Sequence, residues 1–399
     1  MVCFALMSSA PGTTGIEIAF VNATHRWGGV KTWTLDVAPR LAARGHGVHL
    51  FLRRDEGFPD ACRARGLQVE TLHFGPDWNP LAVFRLRHLF RRHHIDVVVT
   101  NVSKDNRIAG PAARSLGLPV LQIVGGPGDL TPRYRVRLEQ RRYVTAAVVP
   151  ARAVRDTLSR FEWMDTSNRV AVLYNAVDLD LFKPGEGTGT LRALLNVAPG
   201  VPIVMTTGQL TSIKGHDLLL RAFAGLSGDP VLALTSRGPE EESLRSIARV
   251  LGIEHRVRFL GFRERAEMPL LLEDADMVVQ PSLEEGLPIS ILEFMAKGKA
   301  ILATAISGVP EAIEHEREGL LVPPGEVGPL REGMERLLAD PALRARLGHA
   351  ARLRAEAEFG LDTLVVNLEG LLRSLVRGGR SGGLAHYTPS SASWTGKTA

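Results

Sequence analysis

The chain has 399 residues, 45% hydrophobic and 23% charged, which is too long for a single hydrophobic core and too apolar for overall disorder. Its two cysteines exclude a disulfide framework, and no apolar run approaches the roughly 20 residues that span a bilayer. The net charge of +5 hides an asymmetry: residues 1–175 carry 24 Lys and Arg against 14 Asp and Glu, whereas residues 176–399 carry 24 against 29, so an anionic partner meets the first half first.

In chain order, residues 1–15 read as an extension ahead of the first strand. Their short apolar stretch has no basic flank before it, which argues against a signal peptide and, with so few cysteines, favours a cytoplasmic setting. From residue 16 short β-branched runs alternate with helical patterns, the signature of a parallel sheet covered by helices on both faces. Runs at 16–21, 48–52, 69–72, 97–100, 120–124 and 146–149 predict six strands of one Rossmann-like domain over 16–174. Asn175-Ala176-Val177-Asp178 and a Gly-rich stretch after Lys183 mark a linker over 175–200, with residues 170–174 leading into it. Runs at 203–207, 231–235, 257–260, 277–280, 301–303 and 320–322 predict a second such domain over 201–359. After Gly325 the chain reads as helical to about Arg377, broken near Asp340-Pro341 and Phe359-Gly360, and residues 378–399, rich in Gly, Ser and Thr, are expected to be disordered.

The segment with most chemical content follows the run at 277–280. A short turn, Glu284-Glu285-Gly286-Leu287, leads to Pro288, which suits the first position of a helix. Amides after Gly286 would then stand at a helix N-terminus, where unpaired donors and the helix dipole together bind phosphate. Glu285 lies in the turn and Glu293 about two helical turns on, so the pair can flank a long ligand, one near a sugar and the other on a ribose. Two solvated acids would give the same spacing. Lys214-Gly215 precedes another helix at the carboxyl edge of the second sheet, the edge at which open α/β folds bind ligands. In the first half, Trp27-Gly28-Gly29-Val30 follows the first strand, and paired glycines let a backbone approach a diphosphate or sugar closely. Each signal is weak alone. Three such sites facing one cleft favour a nucleotide-linked substrate.

The set Gly28-Gly29, Lys214-Gly215, Val257-x-Phe259-Leu260-Gly261, Pro281-Ser282-x-x-Glu285-Gly286-x-Pro288, Glu293, Gly308-x-Pro310-Glu311 and Gly319 resembles the retaining GT-B glycosyltransferases of family 4, over about residues 16–375. The resemblance implies an α/β fold of GT-B architecture, two Rossmann-like domains facing across a cleft, with a last helix over 360–377 returning to the first. It implies retaining transfer of a sugar from a nucleotide-sugar donor to a glycan, lipid-linked or small-molecule acceptor held mainly by the first domain, with no metal or other cofactor. Residue by residue, Lys214 would bind the donor diphosphate and Glu285 the transferred sugar, these two carrying the catalytic role. Backbone amides of Gly286, Leu287 and Ile289 would hold sugar and phosphate, Glu293 would grip the ribose, and the Phe262 backbone would lie near the base.

Two positions depart from that pattern. Gln209 stands where the family usually has an arginine, and Arg237, in Ser236-Arg237-Gly238, is the candidate replacement cation. Gly125-Gly126-Pro127 stands where many members carry a histidine near the reacting sugar, leaving Asn101, Lys104, Asp105 and Asp129 as nearby candidates. Asp178-Leu179-Asp180 and Asp274-Ala275-Asp276 resemble metal-nucleotide strings, but their placement in a linker and at a helix end favours structural roles.

Arginines crowd residues 85–92 and 133–142. Contact with an anionic membrane surface carrying a lipid-linked acceptor is one reading, and a solvated helix face, which is favoured, is the other. Nucleic acid is not expected, since no stacking aromatics are interleaved with these arginines. Two rival functions remain on the same frame: a nucleotide- or glycan-binding scaffold without turnover, and a phosphorylase or epimerase.

Overall fold

The computed structural model describes residues 15–25, 28–54, 57–380 and 384. Trp27, nearly all of the expected extension and nearly all of the expected tail lie outside the described residues.

Two parallel sheets form the frame. The first contains β1 (Glu17–Asn22), β2 (Gly47–Arg53), β3 (Gln68–Leu72), β4 (Val97–Thr100), β5 (Val120–Ile123), β6 (Ala146–Val149) and β7 (Val170–Val172), in the order β3-β2-β1-β4-β5-β6-β7. The second contains β8 (Ile203–Thr207), β9 (Val231–Thr235), β10 (Val257–Phe259), β11 (Met277–Gln280), β12 (Ile301–Thr304) and β13 (Leu320–Val322), in the order β10-β9-β8-β11-β12-β13. The first sheet thus has seven strands where six were expected. Residues 170–172 pair with β6 in register Val148↔Ala171 rather than leading into the linker. A run of three residues is too short to show a period, so only its neighbour reveals it as a strand.

Alternation along β1 sorts its side chains between two layers, as the two-residue strand period requires. Ile18 and Phe20 pack with Trp33 and Leu41 of the Gly29–Ala43 helix and with Leu364, Leu368 and Leu372 of the Leu361–Gly378 helix. Ala19 and Val21 face the other way, toward Leu86 and Phe90 of the Pro80–Arg92 helix and Ile108 of the Ser103–Ser115 helix. The last helix therefore completes the first domain, although it follows the second in sequence.

The chain crosses between domains twice, at one place. Val177, leaving the first domain, donates its N–H to Phe359 O at 2.9 Å, and Val177 and Gly360 form an isolated parallel bridge. Away from this double crossing, the loops at the carboxyl ends of β5 and β11 touch. A Cβ at Gly286 would lie 2.2 Å from Gly125 O and 2.9 Å from Pro150 Cγ, so only glycine permits this approach.

Candidate active site

β11 ends at Gln280, and the turn that follows is built around one carboxylate. Glu285 Oε1 accepts from Ser282 Oγ at 2.8 Å, from Gln280 Nε2 at 3.2 Å and from Lys214 Nζ at 2.5 Å. Gln280 and Ser282 are buried, and Gln280 also accepts from Ser290 Oγ at 3.2 Å, so the carboxylate is fixed by side chains that cannot swing away. Pro288 is the cap rather than the first residue of the Ile289–Ala296 helix, a shift of one position. The amides of Gly286, Leu287 and Ile289 find no acceptor among the described residues, while Ile291 N turns back to Pro288 O at 3.2 Å. Donors left over in this way at a helix start are suited to anionic oxygens.

Lys214 ends a single helical turn that opens off β8 and is followed by Gly215 in the left-handed conformation, φ +65°. A Cβ at Gly215 would lie 2.2 Å from Pro281 O, so glycine is required by both backbone and space, and it holds the Lys214 turn against the Glu285 turn. His216 behind it is buried, and burial lowers its pKa to about 4, so it is uncharged at neutral pH.

Gln209 and Arg237 lie on adjoining loops, joined by the hydrogen bond from Leu210 N to Arg237 O at 3.2 Å. Both side chains are exposed, and Arg237 lies over Gly261 with no carboxylate partner among the described residues. Next to it the Phe262 ring is 60% exposed. Gly28 and Gly29 are exposed, and a Cβ on either would meet nothing within 4 Å, so the chain itself does not require glycine there.

Glu293 is held differently from Glu285. Its nearest cation is Arg265, whose Nε lies 3.6 Å from Oε1, while Arg265 Nη1 binds both oxygens of Asp36 in the first domain at 2.6 Å. Burial raises the Glu293 pKa to about 7; Arg265 opposes the shift and Asp36 adds to it. Neither Arg265 nor Asp36 was legible as a site residue, since each is an isolated charge without a motif.

Several carboxylates that the sequence left as candidates are engaged with backbone. Asp129 Oδ2 accepts from Gly125 N at 2.7 Å and Gly126 N at 3.1 Å. Asp105 is buried and accepts from Ala23, Asn101 and Val102 N–H groups, with burial raising its pKa to about 6. Asp274 accepts from Gly189 N and Leu191 N, Asp276 from Ile203 N, and Asp178 from Asp180 N and Leu181 N. These Asp-x-Asp strings cap turns.

Beyond the Asp129 turn the first domain opens into a cavity of about 660 Å³, lined by Asp77, Ser103, Arg107, Thr131, Arg133, Tyr134 and Arg135 among others. Arg107 is pinned by Asp77 at 3.0 Å and by buried Glu139 at 3.2 Å. Arg133 and Arg135 form no ion pair among the described residues and are exposed.

Comparison with known proteins follows the same division of the chain. Residues 27–181 match the family model described as Glycosyltransferase Family 4, and residues 190–354 match Glycosyl transferases group 1. A protein of Streptomyces bingchenggensis named D-inositol 3-phosphate glycosyltransferase is 26% identical over 394 residues, covering 88% of this chain and 86% of that one. Among solved structures, Anabaena HepE in complex with UDP is similar with TM-score 0.79 at 23% identity, over 90% of this chain and 100% of that one. Sucrose-phosphate synthase from Thermosynechococcus elongatus is similar with TM-score 0.78 at 22% identity, over 91% and 100%. Two facing parallel domains, matched over residues 27–181 and 190–354 by the two models, identify the chain as a glycosyltransferase of the group 1 and family 4 type, with the GT-B fold.

Proposed function

We propose that this enzyme transfers a sugar from a nucleoside-diphosphate sugar to an acceptor hydroxyl with retention of anomeric configuration and without a metal ion. The observation that most supports this reading is the Lys214–Glu285 pair beside the unpaired amides of Gly286, Leu287 and Ile289. As the bond from the anomeric carbon to the diphosphate breaks, charge grows on the leaving oxygens, and fixed donors stabilise it without reorganising. Lys214 and the amides supply those donors, and Arg237 adds the cation that Gln209 does not. Glu285 accepts from hydroxyls of the transferred sugar, Glu293 from the ribose, and the base lies along Phe262. Gly28-Gly29 closes over the sugar and phosphate from the first domain.

The acceptor occupies the cavity beyond Asp129. Curated relatives carry the name D-inositol 3-phosphate glycosyltransferase, and Arg133 and Arg135 have no counter-ion among the described residues, which together favour an anionic acceptor. A thermal-shift screen with uridine, guanosine and adenosine diphosphates tests the donor site, because a ligand at 100 times its Kd stabilises by about 2.7 kcal/mol. Transfer that persists in chelator and yields a product with the donor's anomeric configuration by NMR is the expected result. Inversion, or loss of turnover on chelation, removes that part of the reading.

Contact with an anionic membrane belongs to the same proposal, with the chain cytoplasmic and peripheral at the inner face. Leu81 (79% exposed) and Phe84 (68%) of the Pro80–Arg92 helix are exposed apolar side chains, as is Tyr134 (76%), which lines the cavity with Asp77. The Pro80–Arg92 helix carries no acid, and its exposed Arg85, Arg91 and Arg92 have no ion-pair partner among the described residues. Apolar tips within a basic field suit a lipid surface that carries a lipid-linked acceptor. Sedimentation with anionic but not neutral vesicles, reduced by F84S, is expected. Equal retention on both vesicles argues for the solvated-face alternative. Among the described residues no helix is long and apolar enough to cross a membrane.

A further inference from the structure

An ion pair between the domains reaches into the donor site. Asp36 lies on the Gly29–Ala43 helix of the first domain, and Arg265 lies in the loop after β10 of the second. Arg265 Nη1 donates to both Asp36 oxygens at 2.6 Å, while Nε and Nη2 are buried without a hydrogen-bond partner among the described residues. Nε nevertheless lies 3.6 Å from Glu293. Side chains of Asp36, Arg265 and Glu293 are 13%, 26% and 14% exposed, so solvent screens the three charges little. The guanidinium is carried over the Phe182 ring of the linker, 5.8 Å from its centroid.

One guanidinium thus faces two carboxylates from different domains, and in this arrangement Asp36 holds it. A carboxylate that accepts from both ribose hydroxyls must be ionised, since a protonated one loses acceptor capacity. We propose that Asp36 and Arg265 are positioning residues that control, from across the cleft, whether Glu293 is charged and able to accept the donor's ribose, so that nucleotide affinity responds to domain closure. The inference rests on Glu293 as the ribose-binding carboxylate. Among the described residues the charged groups facing Glu293 are Arg265 and Asp36. With Asp36 ionised and holding Arg265, Glu293 keeps its proton to unusually high pH. When Asp36 is neutral or withdrawn, Arg265 is released to Glu293, which then ionises at lower pH.

The test is the pH dependence of nucleotide binding, measured by calorimetry between pH 5.5 and 8.5 with the nucleoside diphosphate that stabilises the wild-type chain most. Titration of the ligand's own phosphate is common to all variants and cancels in the comparison. Wild-type affinity should rise through an inflection near 7, and E293Q should lose that inflection. D36N should move it down by about one pH unit, and R265M, which leaves two carboxylates without a cation, should move it up. D36E should restore the wild-type profile. The opposite displacements of D36N and R265M are a signature that a merely structural contact does not produce, and melting curves confirm that each variant is folded. An inflection unchanged in both D36N and R265M overturns the coupling while leaving the nucleotide site in place. Failure of every nucleoside diphosphate to bind the wild-type chain removes the site and the coupling with it.

Discussion

Lys214 and Glu285 lie 2.5 Å apart with side chains 20% and 10% exposed. Truncating either strands the other charge where water reaches poorly, which costs more than the pair contributes net. Lys214→Ala should lower kcat by about 10²- to 10³-fold, the scale of losing one fixed donor to a developing oxyanion, with partial recovery in Lys214→Arg. Steady-state kinetics with the donor found by thermal shift checks this, and a change below threefold would assign the pair a structural role. Gly286→Ala is a sharper probe, because its methyl group meets Gly125 O and Pro150 of the other domain. It should leave the melting of each domain nearly intact while reducing transfer at least tenfold, a split between stability and kcat that calorimetry and kinetics separate. Glu293 also marks the pH dependence of folding. Its pKa rises from the ordinary 4.5 to about 7, so the folded state binds the proton more tightly and stability falls as pH climbs through that window. Glu293→Gln should therefore gain stability over wild type between pH 5 and pH 8, read as a melting-temperature difference that grows with pH. At this scale Gly215 and Gly286 were legible because only glycine fits where they stand, whereas the spacing of the paired acids carried little by itself. Asp36 and Arg265 were not legible, because they lie 229 positions apart and meet only across the cleft.

The Leu361–Gly378 helix shows how an element's allegiance is decided by its face. Leu364, Leu368, Leu371, Leu372 and Leu375 recur at three- and four-residue spacing and are buried against the first sheet. Leu372→Ala should destabilise by about 2–5 kcal/mol, the cost of a buried leucine plus its cavity, in the unfolding of the first domain rather than the second. Denaturant titration that resolves the two domains checks the assignment. The breaks at Asp340-Pro341 and Phe359-Gly360 were readable because proline cannot donate its N–H and Asp340 caps Leu343 N at 2.9 Å. β7 was not readable, since three residues carry no period and pairing with β6 alone makes them a strand.

At the scale of the whole molecule, the domains are joined by an apolar cluster, by the Asp36–Arg265 ion pair and by a second carboxylate, Glu311. Val149, Ala151 and Val154 of the first domain pack in the same cluster as Leu287, Ile306 and Val309 of the second. Beside them Glu311 accepts from Arg152 N at 2.9 Å, Ala153 N at 2.8 Å and Tyr174 Oη at 2.9 Å. Glu311→Ala leaves three donors unpaired, so the thermal transition should split in two and the radius of gyration should increase in solution scattering.

The sequence by itself determined the two parallel sheets, the linker between them and the glycine-containing turn after β11, since each depends on local period and on residues whose backbone chemistry is restricted. Only the tertiary structure decided which carboxylates are available. Asp105, Asp129, Asp274 and Asp276 carry the same carboxyl group as Glu285 and Glu293, yet they hold backbone amides. That distinction depends on which groups folding brings within hydrogen-bonding distance, and no local pattern encodes it.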